Sequence, residues 1–370
     1  MGAARATAAG GPGGGGPHVD LPGGGHERTD AAGSPAPFGT TFVRDMAVAR
    51  FADGAWAAPE LVPLAPLALH PGAHGLHYAS SCFEGLKAHR GPDGVVRLFR
   101  LDDHVRRLCG SAEALVLPPP PSELVATMVR DLVRATLHEV PPPPGALYVR
   151  PLLLGTNADI GAAARPATEA LLLVLASPVG DYFAGGLRPL SVAIETGHPR
   201  TTAAFGAVKA GLNYAMALGT TLAAARSYRT DQVLFAPGGD VQETGASNVL
   251  LLDRTTVVTP RPTAALLHGV TARSALRVAA DLGYSVGERD LRVDDLLAWV
   301  RRPGAELALS GTAAVLAGVG TLVHAGEPLQ VGDGQVGPVT RRLREALVGI
   351  QQGRRLDPAA WCTPVPPLPA

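Results

Sequence analysis

The chain has 370 residues, 46% of them apolar, and its 32 Lys and Arg balance 32 Asp and Glu. That length suits two ordinary domains with cores of their own, and a formal charge of zero gives no electrostatic case for nucleic acid. No apolar run reaches the roughly eighteen residues of a membrane span and no signal-peptide stretch opens the chain, so a cytoplasmic protein without a membrane partner is expected.

Residues 1–34 are dominated by Gly, Ala and Pro, including Gly13–Gly16 and Gly23–Gly25, and offer almost nothing to bury; a disordered tail is expected. From Phe38 the pattern becomes globular, with short strands around Thr41–Phe51 and Val95–Phe99. A helix over Asp103–Leu115 follows, in which Val105, Leu108, Ala112 and Leu115 recur at helical spacing. Prolines 118–121 end it, and Ser122 is expected to cap a second helix whose Leu124, Met128, Val129, Leu132 and Val133 form one stripe. Beyond prolines 141–144 come two strongly apolar strands, Ala146–Leu154 and Glu169–Ser177.

Gly180, Gly185, Gly186 and Pro189 mark a linker at 181–190, dividing a small α/β domain over 35–180 from a larger one over 191–370. In the second half, strands Leu190–Ile194, Gln232–Ala236, Val249–Leu252, Thr256–Thr259 and Leu307–Ser310 alternate with helices near Leu212–Arg226, Ala272–Leu282 and Asp294–Val300. An α+β protein follows. Cys82, Cys109 and Cys362 are widely separated, with no CxxC or metal-ligand spacing; they read as reduced thiols, and no metal is expected.

The chemistry centres on Lys209, in Ala207-Val208-Lys209-Ala210-Gly211-Leu212-Asn213-Tyr214, and on Glu243, 34 positions later in Val241-Gln242-Glu243-Thr244-Gly245-Ala246-Ser247-Asn248. A lysine amine can hold an aldehyde cofactor as a Schiff base, and a carboxylate can keep a pyridine nitrogen protonated. The pair therefore points to pyridoxal 5'-phosphate. Tyr214, five residues past the lysine, is placed to donate to the ring's phenolic oxygen. His268-Gly269-Val270-Thr271 precedes a helical pattern, so its amides and the Thr271 hydroxyl form an anion site at a helix N-terminus, although a plain helix cap reads the same way. A fixed cation should accompany it, and Arg106 and Arg107 compete for that place.

These segments resemble the branched-chain amino acid aminotransferases, members of the fold-type IV pyridoxal phosphate enzymes. The resemblance takes in Phe38-Gly39-Thr40-Thr41-Phe42, His77-Tyr78-Ala79, Phe83-Glu84-Gly85-Leu86-Lys87-Ala88, Leu147-Tyr148-Val149-Arg150-Pro151 and Ser310-Gly311-Thr312-Ala313, and so covers about 35–360. It implies a small α/β domain beside a larger one built around a β-barrel, with the cofactor in the crevice between. It implies Lys209 as the catalytic residue and Arg107, in an HxxRL-like segment, as the phosphate cation. Thr312 completes the phosphate cup, while Gln232 and Asn248 support the ring.

For substrate, the resemblance implies walls of Phe38, Tyr78, Tyr148 and Tyr182, with Arg150 receiving the glutamate side chain. Backbone amides near Ala246 and Ala313 and the Tyr78 hydroxyl meet the α-carboxylate. The implied partners are L-leucine, L-isoleucine and L-valine with 2-oxoglutarate, and a homodimer whose sites borrow from the neighbouring chain.

Two departures bear on this. Arg200-Thr201-Thr202-Ala203-Ala204-Phe205-Gly206 is shorter than the glycine-rich loop usual before the lysine and is expected to be reshaped, which opens amino-donor specificity and a specialised pathway. Ala314 and Ala317 stand where some animal relatives carry a redox CxxC pair, which excludes thiol regulation there. The alternatives are another fold-type IV enzyme, such as a D-amino-acid or amine transaminase or an aminodeoxychorismate lyase, and a pyridoxal phosphate carrier without turnover.

Overall fold

The computed structural model describes residues 38–183 and 186–367, so the tail expected to be disordered lies outside the described residues. The first half runs β1 (Asp45–Ala52), β2 (Ala55–Trp56), β3 (Glu60–Pro63), α1 (His74–Tyr78), β4 (Ser81–Phe83), β5 (Leu86–Arg90), β6 (Val96–Phe99), α2 (Leu101–Ala114), α3 (Ser122–Ala135), β7 (Ala146–Gly155) and β8 (Ala170–Val179). The second opens with β9 (Leu190–Glu195), α4 (Gly211–Tyr228), β10 (Gln232–Phe235), β11 (Asn248–Leu252) and β12 (Thr256–Pro260). It continues through α5 (Val270–Asp281), β13 (Ser285–Arg289), α6 (Val293–Val300), β14 (Glu306–Gly311), β15 (Val315–His324), β16 (Glu327–Gln330), α7 (Pro338–Gln351) and β17 (Cys362–Val365).

Two sheets result. The first has the order β17-β6-β5-β7-β8-β1-β2, with β3 on β1 and β4 on β7; the second has the order β10-β9-β15-β14-β11-β12-β13, with β16 on β15. β7 and β8 pair in antiparallel register over their full length, from Ala146↔Val179 to Gly155↔Ala170. Most of their residues are buried, as their nearly continuous apolar runs require of central strands. The stripe of α3 is also buried, through Val125, Met128, Val129, Leu132 and Val133. Ser122, however, is the first helical residue; Pro121 takes the cap position, and no side chain caps the helix. A proline just outside the helix, already extended, does the terminating that the serine was expected to do.

The division at the linker needs one amendment. β17, expected in the second domain, pairs antiparallel with β6 of the first sheet. Its neighbour Trp361 stacks edge-on against Phe99 at 5.7 Å, and Phe99 shares a core with Leu250, Ala275 and Leu343 of the second unit. β17 and Trp361 thus fasten the two units together.

Candidate active site

Lys209 belongs by sequence to the second unit, yet its backbone is tied to the first. The Phe83 amide of β4 donates to its carbonyl at 3.1 Å, and its own amide donates to Ser111 Oγ of α2 at 3.0 Å. Its Nζ donates to the Tyr214 hydroxyl at 2.7 Å and lies 5.0 Å from the Phe83 ring centre. Amine and phenol are both set by the entry into α4, since Tyr214 falls in that helix's first turn.

Glu243 sits after β10, and its backbone carbonyl accepts from the Phe235 amide at 3.0 Å. Its buried carboxylate is surrounded by donors: the Leu267 amide at 2.6 Å, Asn248 Nδ2 at 3.1 Å and the Arg200 guanidinium at 2.7 Å. Burial pushes this carboxyl up, to about 7, against the pull of Arg200 and the Leu267 amide. A carboxyl so poised can share a proton with a ring nitrogen at neutral pH.

Arg107 reaches the same region from α2. Its Nη1 donates to the His268 carbonyl at 3.1 Å, which sets the guanidinium at the start of α5, beside Gly269, Val270 and Thr271. Nε and Nη2 donate in a fork to Glu84, at 2.5 and 2.9 Å, and His104 Nδ1 bonds the same carboxylate at 2.7 Å. Arg106 points away, its side chain 73% exposed and paired with Asp103, so geometry separates the two competing arginines. At Gly269 an added Cβ would lie 1.9 Å from Asn248 Oδ1, so only glycine lets the helix start come this close to the Glu243 support.

Burial raises the Glu84 carboxyl, but Arg107 and His104 outweigh it and hold it well below the usual carboxylate range. A depressed folded value means stability that is present above the ordinary value of 4.5 and lost as pH falls below it. Glu84→Gln should cost about 3 kcal/mol at neutral pH, because a buried guanidinium loses its carboxylate. It should also flatten the acid limb of a urea-denaturation series below pH 4.5. An unchanged acid limb would refute the pairing.

The proposed substrate wall lies beyond Phe83. Arg150 stacks 4.5 Å from the Phe83 ring centre and donates through Nη2 to the Tyr148 hydroxyl at 2.9 Å. Phe38 meets the Tyr148 ring edge-on at 5.0 Å and Tyr182 at 6.0 Å. Phe38, Phe83, Tyr148 and Arg150 line a mostly apolar hollow of about 330 Å³. On the other side, a side chain at Gly311 would lie 3.3 Å from Ser247 Oγ, so the turn holding Ala246 and the one holding Thr312 and Ala313 face each other. The Ala246 amide makes only a long bond to Thr244 Oγ1, at 3.4 Å.

Two expected residues stand apart. Tyr78 closes α1 and donates to the Ile160 carbonyl at 2.5 Å, with His74 and His77 as its ring neighbours. Gln232 opens β10 at the far end from Glu243 and lines a separate hollow with Arg188 and Asp231.

The family model described as "Amino-transferase class IV" matches residues 81–320. The chain belongs to the class IV aminotransferases. The "Probable branched-chain-amino-acid aminotransferase" of Streptomyces coelicolor is 38% identical over 335 residues, covering 88% of this chain and 91% of the relative. The Bacillus subtilis "Branched-chain-amino-acid transaminase 1" is 33% identical over 341 residues, covering 89% and 94%. The solved T.th. branched-chain amino acid aminotransferase with pyridoxamine 5'-phosphate superposes with a TM-score of 0.71 at 27% identity, covering 86% of this chain and 98% of that one. A fold-type IV architecture and a pyridoxal phosphate-dependent branched-chain aminotransferase follow.

The residues present suit that cofactor in a class IV aminotransferase. Lys209, Tyr214, Glu243 and Arg107 lie close enough that Lys209 acts on the Glu243 carboxyl and both Tyr214 and Glu243 act on the Arg107 guanidinium. Four supporting side chains escape the sequence reading: Phe83, Glu84, Ser111 and Arg200. Phe83 and Glu84 stand inside a quoted motif and could have been singled out there. Arg200 belongs to the reshaped loop, where Nη2 donates to the Gly206 carbonyl at 2.8 Å while the guanidinium meets Glu243. Asn213, fully buried, holds the same loop through Thr201 Oγ1, the Phe205 carbonyl and the Val208 carbonyl.

Proposed function

We propose that the enzyme exchanges amino groups between L-leucine, L-isoleucine or L-valine and 2-oxoglutarate, with both side chains received in one pocket. The observation that carries this is a single guanidinium, Arg150, set in an aromatic hollow whose Phe83 ring also lies 5.0 Å from Lys209 Nζ. Phe38, Phe83 and the Tyr148 ring offer apolar surface to a branched side chain, while Arg150 and the Tyr148 hydroxyl offer donors to a second carboxylate.

When bound, pyridoxal phosphate draws electrons from the substrate Cα, which makes its proton removable. Lys209 takes that proton, Glu243 keeps the ring nitrogen protonated, and Tyr214 orients the amine through their 2.7 Å bond. Arg107, the amides of Gly269–Thr271 and Thr312 hold the phosphate, and the amides of Ala246 and Ala313 hold the α-carboxylate. Gln232, at the start of β10, and Tyr182, whose ring meets Phe38, belong to the outer part of this assignment.

A homodimer is part of the proposal. α4 exposes Met216, Leu218 and Leu222 by 47–55% with no charge before Arg226, and Leu76 of α1 and Ile160 are 59% and 72% exposed. Surfaces this apolar need a partner. Tyr78, bonded to Ile160 on that second surface, then serves the neighbouring chain's site. No helix among the described residues is long and apolar enough to cross a membrane. Free Cys82, Cys109 and Cys362 agree with the reducing cytoplasm we assign.

Single-turnover absorbance with purified holoenzyme tests the reading. L-leucine should react at least ~10-fold faster than D-alanine or aminodeoxychorismate, since apolar walls reward the methylenes of its branched side chain by about 1–3 kcal/mol each. Preference for either of the latter two would sink the assignment. Light scattering should return the mass of two chains, and a single-chain mass would remove the dimer.

A further inference from the structure

A second hollow, of about 260 Å³, lies between β5, α7 and the residues Gly180, Asp181, Tyr182 and Leu187. Lys87 and His89, two apart on β5, enter it from one face of the strand, and Arg341 and Arg344 enter it from α7. Arg354, Asp181 and Glu345 complete its charged lining. Lys87 Nζ donates to the Ala313 carbonyl at 2.7 Å, and Arg344 Nη1 donates to the Ala314 carbonyl, also at 2.7 Å. One cation from each unit therefore grips consecutive carbonyls of the turn that follows Thr312.

The lining carries more donor side chains than carboxylates, with Lys87, His89 and three arginines against Asp181 and Glu345. Asp181 takes Arg344 Nη2 at 3.1 Å, and Glu345 at the rim faces Arg355 at 3.8 Å. Lys87 is 8% exposed, and its one hydrogen bond among the described residues is to a neutral carbonyl. Among the described residues both ring nitrogens of His89, a residue 4% exposed, lack a hydrogen-bond partner, as does Gln351 Oε1; burial keeps the imidazole neutral, so one of its nitrogens donates and the other accepts. Buried polar groups left unmatched beside three arginines call for an anionic ligand rich in acceptors, and the unmatched Gln351 oxygen favours one that also carries an O–H.

We propose that this hollow binds a compact oxyanion, a phosphate or short dicarboxylate, at a place separate from the cofactor's phosphate cup. The anion accepts from His89 and the three arginines and competes with the carbonyls of Ala313 and Ala314 for Lys87 and Arg344. A bond in which the acceptor is charged as well as the donor wins that competition over one to a neutral carbonyl. The turn carrying Thr312 and Ala313 is then released, so occupancy of the hollow weakens substrate binding. The coupling rests on the substrate site assigned above; the binding does not.

Isothermal titration of the holoenzyme with inorganic phosphate, at ionic strength fixed with chloride, tests the site while its cofactor fills the cup. One saturable site per chain is expected, and saturating phosphate should raise KM for leucine several-fold with kcat unchanged. The variant R341Q/R354Q, altered at two exposed positions outside the catalytic machinery, should keep basal activity. It should bind phosphate at least tenfold more weakly and lose the effect on KM. Malonate that displaces phosphate extends the site to dicarboxylates, and phosphate binding indifferent to malonate confines it to phosphate. A non-saturable response, or equal binding by wild type and variant, overturns the proposal. Because binding is read without turnover, that failure leaves the assigned reaction standing.

Discussion

Lys209→Ala should lower leucine transamination by at least ~10⁴-fold while leaving the fold intact, the upper range for losing a positioned proton-transfer group. The fold survives because the lysine is anchored through its main chain. The Phe83 amide, the Lys209 carbonyl and Ser111 Oγ make those bonds whatever the side chain. What disappears is the bond to Tyr214 and the amine itself. Glu243 remains supported by Arg200, Asn248 and the Leu267 amide, and Arg107 by Glu84, so the variant should still take up cofactor, though weakly. Borohydride trapping followed by mass spectrometry should locate the cofactor on Lys209 in the wild type and on no residue in the variant. Activity within tenfold of wild type, or a trapped adduct elsewhere, would remove the lysine from its role.

How legible this was depended on whether the physical cause lay near in sequence. β7, β8 and the stripe of α3 announce themselves because runs and periodicities are local. β15, at ten residues one of the long strands, passes unread because Gly318 and Gly320 interrupt its apolar pattern. α7 passes unread because its cap is remote: Glu306, on β14, accepts from the Val339 and Thr340 amides at 2.8 Å. β17 joins the first sheet through pairing that no local signal encodes.

The site divides in the same way. Lys209, Tyr214 and Glu243 are visible because cofactor chemistry demands those residue types within two short motifs. Their supports are hidden because each acts across the fold. Arg200 meets Glu243 43 positions away, and Glu84, in the turn between β4 and β5, meets Arg107 of α2 23 positions away. The loop before Lys209, which reads as a departure, is built around Arg200 and Asn213 and so delivers one of the groups that tune Glu243.

Arg150→Ala should slow the glutamate half-reaction by roughly 30-fold or more and the leucine half-reaction by less than about threefold. Among the described residues no carboxylate pairs with this guanidinium. Its bonds run to the Tyr148 hydroxyl, its plane rests on Phe83, and its buried Nε has no partner. A carboxylate arriving at the end of a glutamate side chain gains a charge-assisted partner already desolvated and already oriented. Truncating one member of such a pair costs about 2–5 kcal/mol. A leucine side chain makes only dispersion contact there, and alanine leaves Phe38 and Phe83 to supply it. Gly85→Ala offers a check that leaves the arginine in place, because its Cβ would stand 1.9 Å from the Tyr148 hydroxyl oxygen and must displace it. That variant should reproduce the glutamate-selective loss in milder form. Single-turnover rates for the two substrates decide the matter: equal losses for leucine and glutamate would show that Arg150 supports the wall of the pocket and does not read the second carboxylate.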